Sequence, residues 1–470
     1  MNIPDIYKNT FFILVLILIL LFNSALIMPQ TIKQEPVKIE EYNKIAQVIV
    51  ETALRERKGY KYLSELCEYG PRLSGSENSM KAINWAYEKM KSLGFDKVWL
   101  QPVMVPHWER GEAESCTILD LNKELSTLAL GGSISTPVEG ITSEMIEVKT
   151  FEELEKRKDE VKGKIVFFSR ALDQGKVNTF SGYGGAVNQR VNGAIEAAKY
   201  GAVAVVIRSI TTKHDNVPHT GVMDYNDTIP KIPAAALGNI DADFLNNELK
   251  RNPHLKINLK LSCKTLPDAQ SYNVIGEITG TEFPDEIVLV GGHFDSWDVG
   301  CGAHDNGAGC IQTMEVLDLI KRLEIKTKRT LRCVFFINEE NGVRGATEYA
   351  NYADTSAQTH LAVLESDRGA FTPIGFYAET DSIEILERLQ SWLTILEKAN
   401  IEWVRKGGSG VDVQKIKNAQ LHLGYVPDDQ RYMDYHHSAN DVFEEVHPRE
   451  FELGAAAITI MAYLLSEEGL

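Results

Sequence analysis

No C-x-x-C pair occurs among the six cysteines at 67, 116, 263, 301, 310 and 333, so neither a cysteine zinc site nor a dithiol redox motif is expected. An excess of positive charge is also missing. Lys and Arg total 49 against 66 Asp and Glu, and a formal net charge of −17 repels a phosphate backbone, which argues against nucleic-acid binding. Glycine (35) and proline (16) are too scarce in 470 residues for a fibrous or low-complexity chain. Length instead predicts about two to four domains, with room for a large buried core.

Only one long apolar run stands out, Phe11 to Phe22, preceded by Lys8 and followed by Asn23-Ser24-Ala25. A basic start, a short apolar core and small residues after it match a secretory signal peptide cut near Ala25, residues 1–25. Counted on to Met28, the same run reaches the lower limit for a membrane anchor, and membrane association is expected only if the segment is retained. Either reading places the body of the chain in an exported compartment. There some cysteines can pair, although Cys333, inside LRCVFFI, reads as a buried thiol. Asn226-Asp227-Thr228 is a glycosylation sequon.

Helical apolar spacing covers Ile45–Cys67 and Ser79–Leu93, the second stopped by Gly94. Val98–Val105 and Cys116–Leu121 read as strands. From Leu125 to Ser262 short strands (163–168, 202–207, 232–237) surround one clear helix at 193–200, which predicts a β-rich domain inserted between 26–124 and 263–470. The last 200 or so residues alternate differently. Ile287–Val290, Leu331–Ile337 and Leu361–Leu364 are apolar runs separated by helical stretches at 308–323 and 344–353, the pattern of an α/β fold with a mostly parallel central sheet flanked by helices. In the first of those helices Ile311, Met314, Leu317, Ile320 and Leu323 form a buried stripe.

Each of the three strands runs directly into polar chemistry: the first into His293-Phe294-Asp295, the second into Glu339-Glu340, the third into Asp367. Ligands in open α/β sheets collect beyond the carboxyl ends of strands. Asp305, in GAHDNGAG, precedes the first helix, and His437, in YHHSANDV, precedes the last. Two His, two Asp and one Glu suit a pair of Zn²⁺ ions sharing a bridging carboxylate. A pair of metals can hold a hydroxide and polarise a carbonyl, and one unligated carboxylate must then take the proton; Glu339-Glu340 offers both roles. Asp295 is placed to accept from the far nitrogen of His293 and fix its tautomer. Tyr435 or His436 is a candidate oxyanion donor, and Arg344, Arg368 and Arg431 are candidates for a substrate carboxylate.

The order H-x-D, A-x-D-N-x-A-G, N-E-E-x-G, E-S-D and H-S-x-x-D resembles that of the co-catalytic zinc exopeptidases, the family that includes secreted bacterial aminopeptidases and glutamate carboxypeptidases. GPRLSGS (70–76), PHWERG (106–111), IRSITT (207–212), PHTG (218–221), HFDSWDVG (293–300) and YHHS (435–438) extend the resemblance from about Glu40 to the C-terminus. It implies metal ligands His293, Asp305, Glu340, Asp367 and His437, with Asp305 bridging, two Zn²⁺ per chain and Glu339 as general base. It also implies that 125–262 is a protease-associated domain, that substrates are dipeptides or short peptides with free termini, and that the chain is a homodimer in a secreted, extracellular or lysosomal setting. An aminopeptidase of the same family and an inactive receptor-like protein on this fold are the alternatives. A dizinc family with a lid domain between the glutamate pair and the last histidine fits less well, because here the large insertion precedes His293. Many members carry Ser-Asp-His where this chain has Val411-Asp412-Val413.

Overall fold

The computed structural model describes residues 38–112 and 114–470, and the expected signal segment, residues 1–25, lies outside them. Among the described residues no helix is long and apolar enough to cross a membrane. Residues 44–470 form one compact unit built on two eight-stranded sheets. The first has the strand order Lys97–Glu109, Lys264–Ile278, Arg329–Phe336, Phe283–His293, Thr359–Glu365, Leu421–Pro427, Pro373–Glu379, Trp403–Lys406. Its four middle strands are mutually parallel, with antiparallel pairings on both flanks. Buried on both faces, three of them read as continuous apolar runs and are visible in the sequence, whereas Leu421–Pro427, interrupted by His422 and Gly424, is not.

The helices Ala308–Arg322 and Pro448–Glu468 pack against this sheet and against each other. The first is buried all round from Ala308 to Ile320, not only along its apolar stripe, and Leu323 lies just past its end. The expected helix 45–67 is interrupted: Arg57 adopts a left-handed conformation (φ 50°) between the helices Ile39–Glu56 and Lys58–Cys67. The next helix, Glu77–Ser92, starts where the Ser76 hydroxyl accepts a hydrogen bond from the Ser79 amide at 3.1 Å.

The second sheet, ordered Lys123–Leu125, Glu114–Ile118, Lys256–Leu261, Ile141–Val148, Ile165–Phe168, Ala204–Arg208, Ala234–Leu237, Thr127–Ala129, occupies the predicted β-rich region. Its limits differ from the sequence boundary at Leu125. Glu114–Ile118 pairs with Lys256–Leu261, so a strand expected in the segment 26–124 belongs to the second sheet. Leu119–Leu121, read as the end of that strand, is a turn of 3₁₀ helix. Asn239–Arg251, the longest helix of the region, had no counterpart in the sequence reading.

Motifs at the strand ends and in the following segments join the two sheets. Arg110 of PHWERG is buried and donates to Asp298 at 2.9 Å, and Trp108 donates to the Ser133 carbonyl at 3.0 Å. Trp297, from the segment after His293, inserts into the core beneath the second sheet. It lies so close to Gly131 that a Cβ there would sit 1.8 Å from the ring.

Candidate active site

The parallel pairing of Arg329–Phe336, Phe283–His293 and Thr359–Glu365 brings His293, Glu339, Glu340 and Asp367 to one edge of the first sheet. Asp305 reaches the same edge from the turn Ala303–Gly307, and His437 arrives from the loop before the last helix, its backbone left-handed (φ 61°). His293, Asp305 and Glu340 are buried and His437 nearly so, Glu339 and Asp367 are partly exposed, and all six line a cavity of about 460 Å³.

Two donor groups meet at Asp305. Its Oδ1 is 3.2 Å from His293 Nε2, which is 3.3 Å from Asp367 Oδ1. Its Oδ2 is 3.4 Å from His437 Nε2, which is 3.0 Å from Glu340 Oε2. Donors bound about 2.0–2.1 Å from one tetrahedral metal ion lie roughly 3.3 Å apart, the separation of each histidine from its two carboxylates, and His293, Asp305 and Asp367 together form a group compact enough for one cation. Asp295 Oδ2, Asp305 Oδ2, Glu340 Oε1 and Asp367 Oδ1 are buried without a hydrogen-bond partner, the state of acceptors that await positive charge. Burial pushes the Asp305 and Glu340 carboxyls upward, Glu340 further through the Asp305 charge. Burial, then His436 and Arg190, holds His437 well below its ordinary value, leaving a neutral ring able to ligate. Glu339, partly exposed in the cavity wall, is pushed up to about 8 by burial and then by Asp367, Asp295 and Asp305 against the opposing His293.

Asp295 does not do what its spacing predicted. Its carboxylate is 3.9 Å from His293 Nδ1, and the ring nitrogen is instead met at 3.0 Å by the Asp295 main-chain carbonyl. The carboxylate turns the other way and accepts from the Glu339 amide at 3.0 Å, so it fixes the glutamate and not the histidine.

The arginine candidates also resolve differently. Arg344 pairs with Asp268 at 2.6 Å, Arg431 is largely exposed beside Glu445, and Arg368 pairs with Asp429 at 3.1 Å beside an adjacent cavity. None of the three lines the metal-edge cavity. Arg190 does, and it is the one Lys or Arg among its described lining residues. It is 6% exposed, donates to the Val222 carbonyl at 3.2 Å and stands 3.4 Å from His437 Nδ1, and among the described residues it forms no ion pair with a carboxylate. Only the folded second sheet brings it there. Tyr435 donates to Glu445 at 2.9 Å and does not line the cavity, whereas His436 does, stacked on His437 with ring centroids 3.5 Å apart. His436 also forms a possible donor trio with Asp305 and His437.

The signature motifs position these groups. Arg72 of GPRLSGS donates to the carbonyls of Phe294, Cys301 and Gly302, clamping the segment between His293 and Asp305. Ser74 accepts from Asn338 at 2.8 Å beside the glutamates. In PHTG the His219 ring meets the His436 carbonyl at 2.7 Å and the Thr220 amide donates to the His437 carbonyl at 2.9 Å, while Thr211 of IRSITT donates to Met433 at 2.6 Å. In the departing loop Asp412 is fully buried beside Glu365, whereas Ser409, Gly410 and Val411 line the adjacent cavity.

An edge of this kind, a bridging carboxylate with two histidines and further acids beyond parallel strands, defines a class: the chain belongs to peptidase family M28, whose profile matches residues 273–461, and is a metallo-exopeptidase. It is 36% identical to carboxypeptidase Q of Bos taurus and 37% identical to that of Homo sapiens, each alignment covering 93% of this chain and 91% of the relative. Among solved structures, a peptidase M28 precursor from Shewanella amazonensis SB2B superposes with a TM-score of 0.87 at 33% identity, over 92% of this chain and 98% of that one. BSAP, a zinc aminopeptidase from Bacillus subtilis, shares the fold, with a TM-score of 0.63 at 21% identity over 87% of this chain and 95% of that one.

Proposed function

We propose that this chain is a dinuclear zinc exopeptidase that hydrolyses dipeptides or short peptides with free termini. The observation that carries the proposal is the division of Asp305, one oxygen beside His293, which also meets Asp367, and the other beside His437, which also meets Glu340. An all nitrogen and oxygen donor set at these spacings fits two Zn²⁺, one held by each trio. When bound, zinc supplies Lewis-acid polarisation of the scissile carbonyl and acidifies water. Glu339, held through its amide by Asp295 and left out of both trios, accepts the proton of the attacking water and returns it to the leaving amine. His436, at the cavity wall, donates to the developing oxyanion.

Arg190 supports a substrate with a free carboxylate. A buried guanidinium without a carboxylate partner is costly, and a carboxylate carried in by the substrate would compensate it. In a dipeptide that carboxylate is only three bonds from the scissile carbonyl carbon. Asp224, exposed on the same cavity, is placed for the ammonium end. Residues 114–262 are read as the protease-associated domain, here supplying Arg190 and Asp224 to the site. Export, with removal of residues 1–25, and homodimer formation complete the proposal, on the strength of the N-terminal sequence pattern and the family resemblance.

Product analysis on dipeptides and tripeptides, each terminus free or blocked, tests the reading. The expected outcome is cleavage of doubly free dipeptides, with kcat/KM lowered about 10- to 100-fold by a carboxamide, the size of one lost charged hydrogen bond. Arg190→Gln should abolish that preference at unchanged zinc content. Equal turnover of carboxamides with a strict need for a free amine would make the enzyme an aminopeptidase instead.

A further inference from the structure

The motif H-S-x-x-D that supplies His437 ends in Asp441, an acid that belongs to neither donor trio. Asp441 is 2% exposed, and among the described residues it forms no ion pair. Main-chain amides meet its carboxylate instead: Oδ1 accepts from His304 at 2.7 Å and Oδ2 from Asp305 at 3.0 Å. Its own carbonyl accepts from the Cys301 amide at 2.9 Å. The segment 301–305 is therefore seated on one residue.

The chain is shaped for that contact. Gly300 is left-handed (φ 68°), and a Cβ there would sit 2.6 Å from the Asp441 carbonyl oxygen and 2.9 Å from that of Ser438, so only glycine allows the approach. Arg72 takes the carbonyls of Cys301 and Gly302, which leaves the amides of His304 and Asp305 to Asp441. Asp441 is itself fixed, since its amide donates to the Ser438 carbonyl at 3.1 Å, one residue past His437, whose carbonyl accepts the Thr220 amide at 2.9 Å. Burial pushes the Asp441 carboxyl upward against the pull of the two amides, and its oxygens can accept an N–H in either protonation state.

We infer that Asp441 is a positioning residue for both cation positions: it ties the main chain of Asp305 to the loop that carries His437, so that the two take their spacing from one carboxylate. The inference rests on the dinuclear reading. Because one oxygen of Asp305 stands beside His293 and the other beside His437, a shift of its main chain moves a ligand of both ions at once. An asparagine at 441 has the same shape but one acceptor oxygen, and its amide nitrogen cannot accept. One of the two buried N–H groups would then lose its partner and face a donor.

Full-length parent and Asp441→Asn chains, stripped with a chelator, are titrated with Zn²⁺ against a chromophoric competitor, and separately with Co²⁺, whose visible absorption reports ligand geometry. The parent should take two ions. In the variant both should bind about 10- to 100-fold more weakly, the usual cost of losing a group that orients a ligand, and the cobalt absorption should shift. With zinc saturating, kcat for a dipeptide should fall while KM changes little, because no substrate contact is altered. Parental affinity with an unshifted cobalt spectrum, or weakening confined to one ion, would overturn the inference, even if the unfolding temperature fell. Fewer than two ions in the parent would instead overturn the dinuclear reading, and the inference with it.

A second measurement needs no variant. Hydrogen exchange of the parent's peptides spanning His304 and Asp305 should be as slow before zinc is added as after, because a buried carboxylate already holds both amides. Fast exchange that only the metal slows would show that zinc, not Asp441, sets the turn. That result would overturn the inference even if Asp441→Asn failed to fold.

Discussion

Glu340 approaches His437 Nε2 at 3.0 Å and keeps Oε1 without a partner, whereas its neighbour Glu339 stands outside both donor trios and is fixed through its amide by Asp295. Adjacent side chains after a strand diverge, so one faces the cation site and the other faces the cavity. Replacing Glu339 by Gln keeps the shape and the donors while removing the proton acceptor. Turnover should fall about 10²- to 10⁴-fold with zinc content nearly unchanged. Replacing Glu340 by Gln removes a charged ligand, so zinc and activity should fall together and recover in part with excess zinc. Elemental analysis beside initial rates separates the two. Loss of metal from the first variant, with both ions kept in the second, would exchange the roles.

The strands Lys264–Ile278 and Arg329–Phe336 join the outer, antiparallel part of the first sheet to its parallel centre, and their register places Glu277 opposite Arg332. Both side chains are 1% exposed; Arg332 donates to Glu277 at 2.8 Å and to the Tyr349 hydroxyl at 2.8 Å. Glu277→Ala would leave a buried guanidinium without its carboxylate, a loss of about 3–5 kcal/mol, readable as a lower urea midpoint at unchanged slope. Such elements show what a single sequence reveals. Three of the four buried parallel strands are legible because both faces are apolar, and the five metal-edge residues are legible because they follow such strands or lie in polar segments ahead of a helix. Pro373–Glu379 and Trp403–Lys406, outer strands of mixed composition, carry no comparable signal. The helix Asn239–Arg251 buries Ala242, Leu245 and Leu249 at helical spacing, but Asn and Asp between them mask it. Arg190 and the turn of Asp295 toward Glu339 depend on tertiary placement, which no local pattern encodes.

At the scale of the whole molecule, the second sheet presses its loops onto the metal edge while the opposite support comes from the helices Ala308–Arg322 and Pro448–Glu468, and a titratable pair lies where those helices meet. Glu315 and Glu452 are 0% exposed, and among the described residues each keeps one carboxylate oxygen, Oε2, without a hydrogen-bond donor. Glu452 Oε1 accepts the Tyr60 amide at 2.9 Å, and Glu315 Oε1 accepts from Arg322 at 3.3 Å. Gly59 makes room, since a Cβ there would collide with Glu315 Oε2. A single proton shared between the facing oxygens satisfies both. Burial, opposed by the Tyr60 amide, Glu315 and Arg322, pushes Glu452 up to about 7; burial and then the Glu452 charge push Glu315 well above the usual carboxylate range. In the unfolded chain both titrate near about 4.3. Below that value both states are protonated and the pair's contribution is fully present. As pH rises toward 7 and beyond, the unfolded chain releases protons that the folded chain retains, so stability falls with pH. The unfolding temperature should therefore decline from pH 5 to pH 8, by a free energy on the order of a few kcal/mol. Glu452→Gln keeps an oxygen for Tyr60 and gives Glu315 an amide donor while removing one titration, so its decline should be shallower. Calorimetry of both chains across that range decides the point: parallel declines would mean that the pH dependence arises elsewhere.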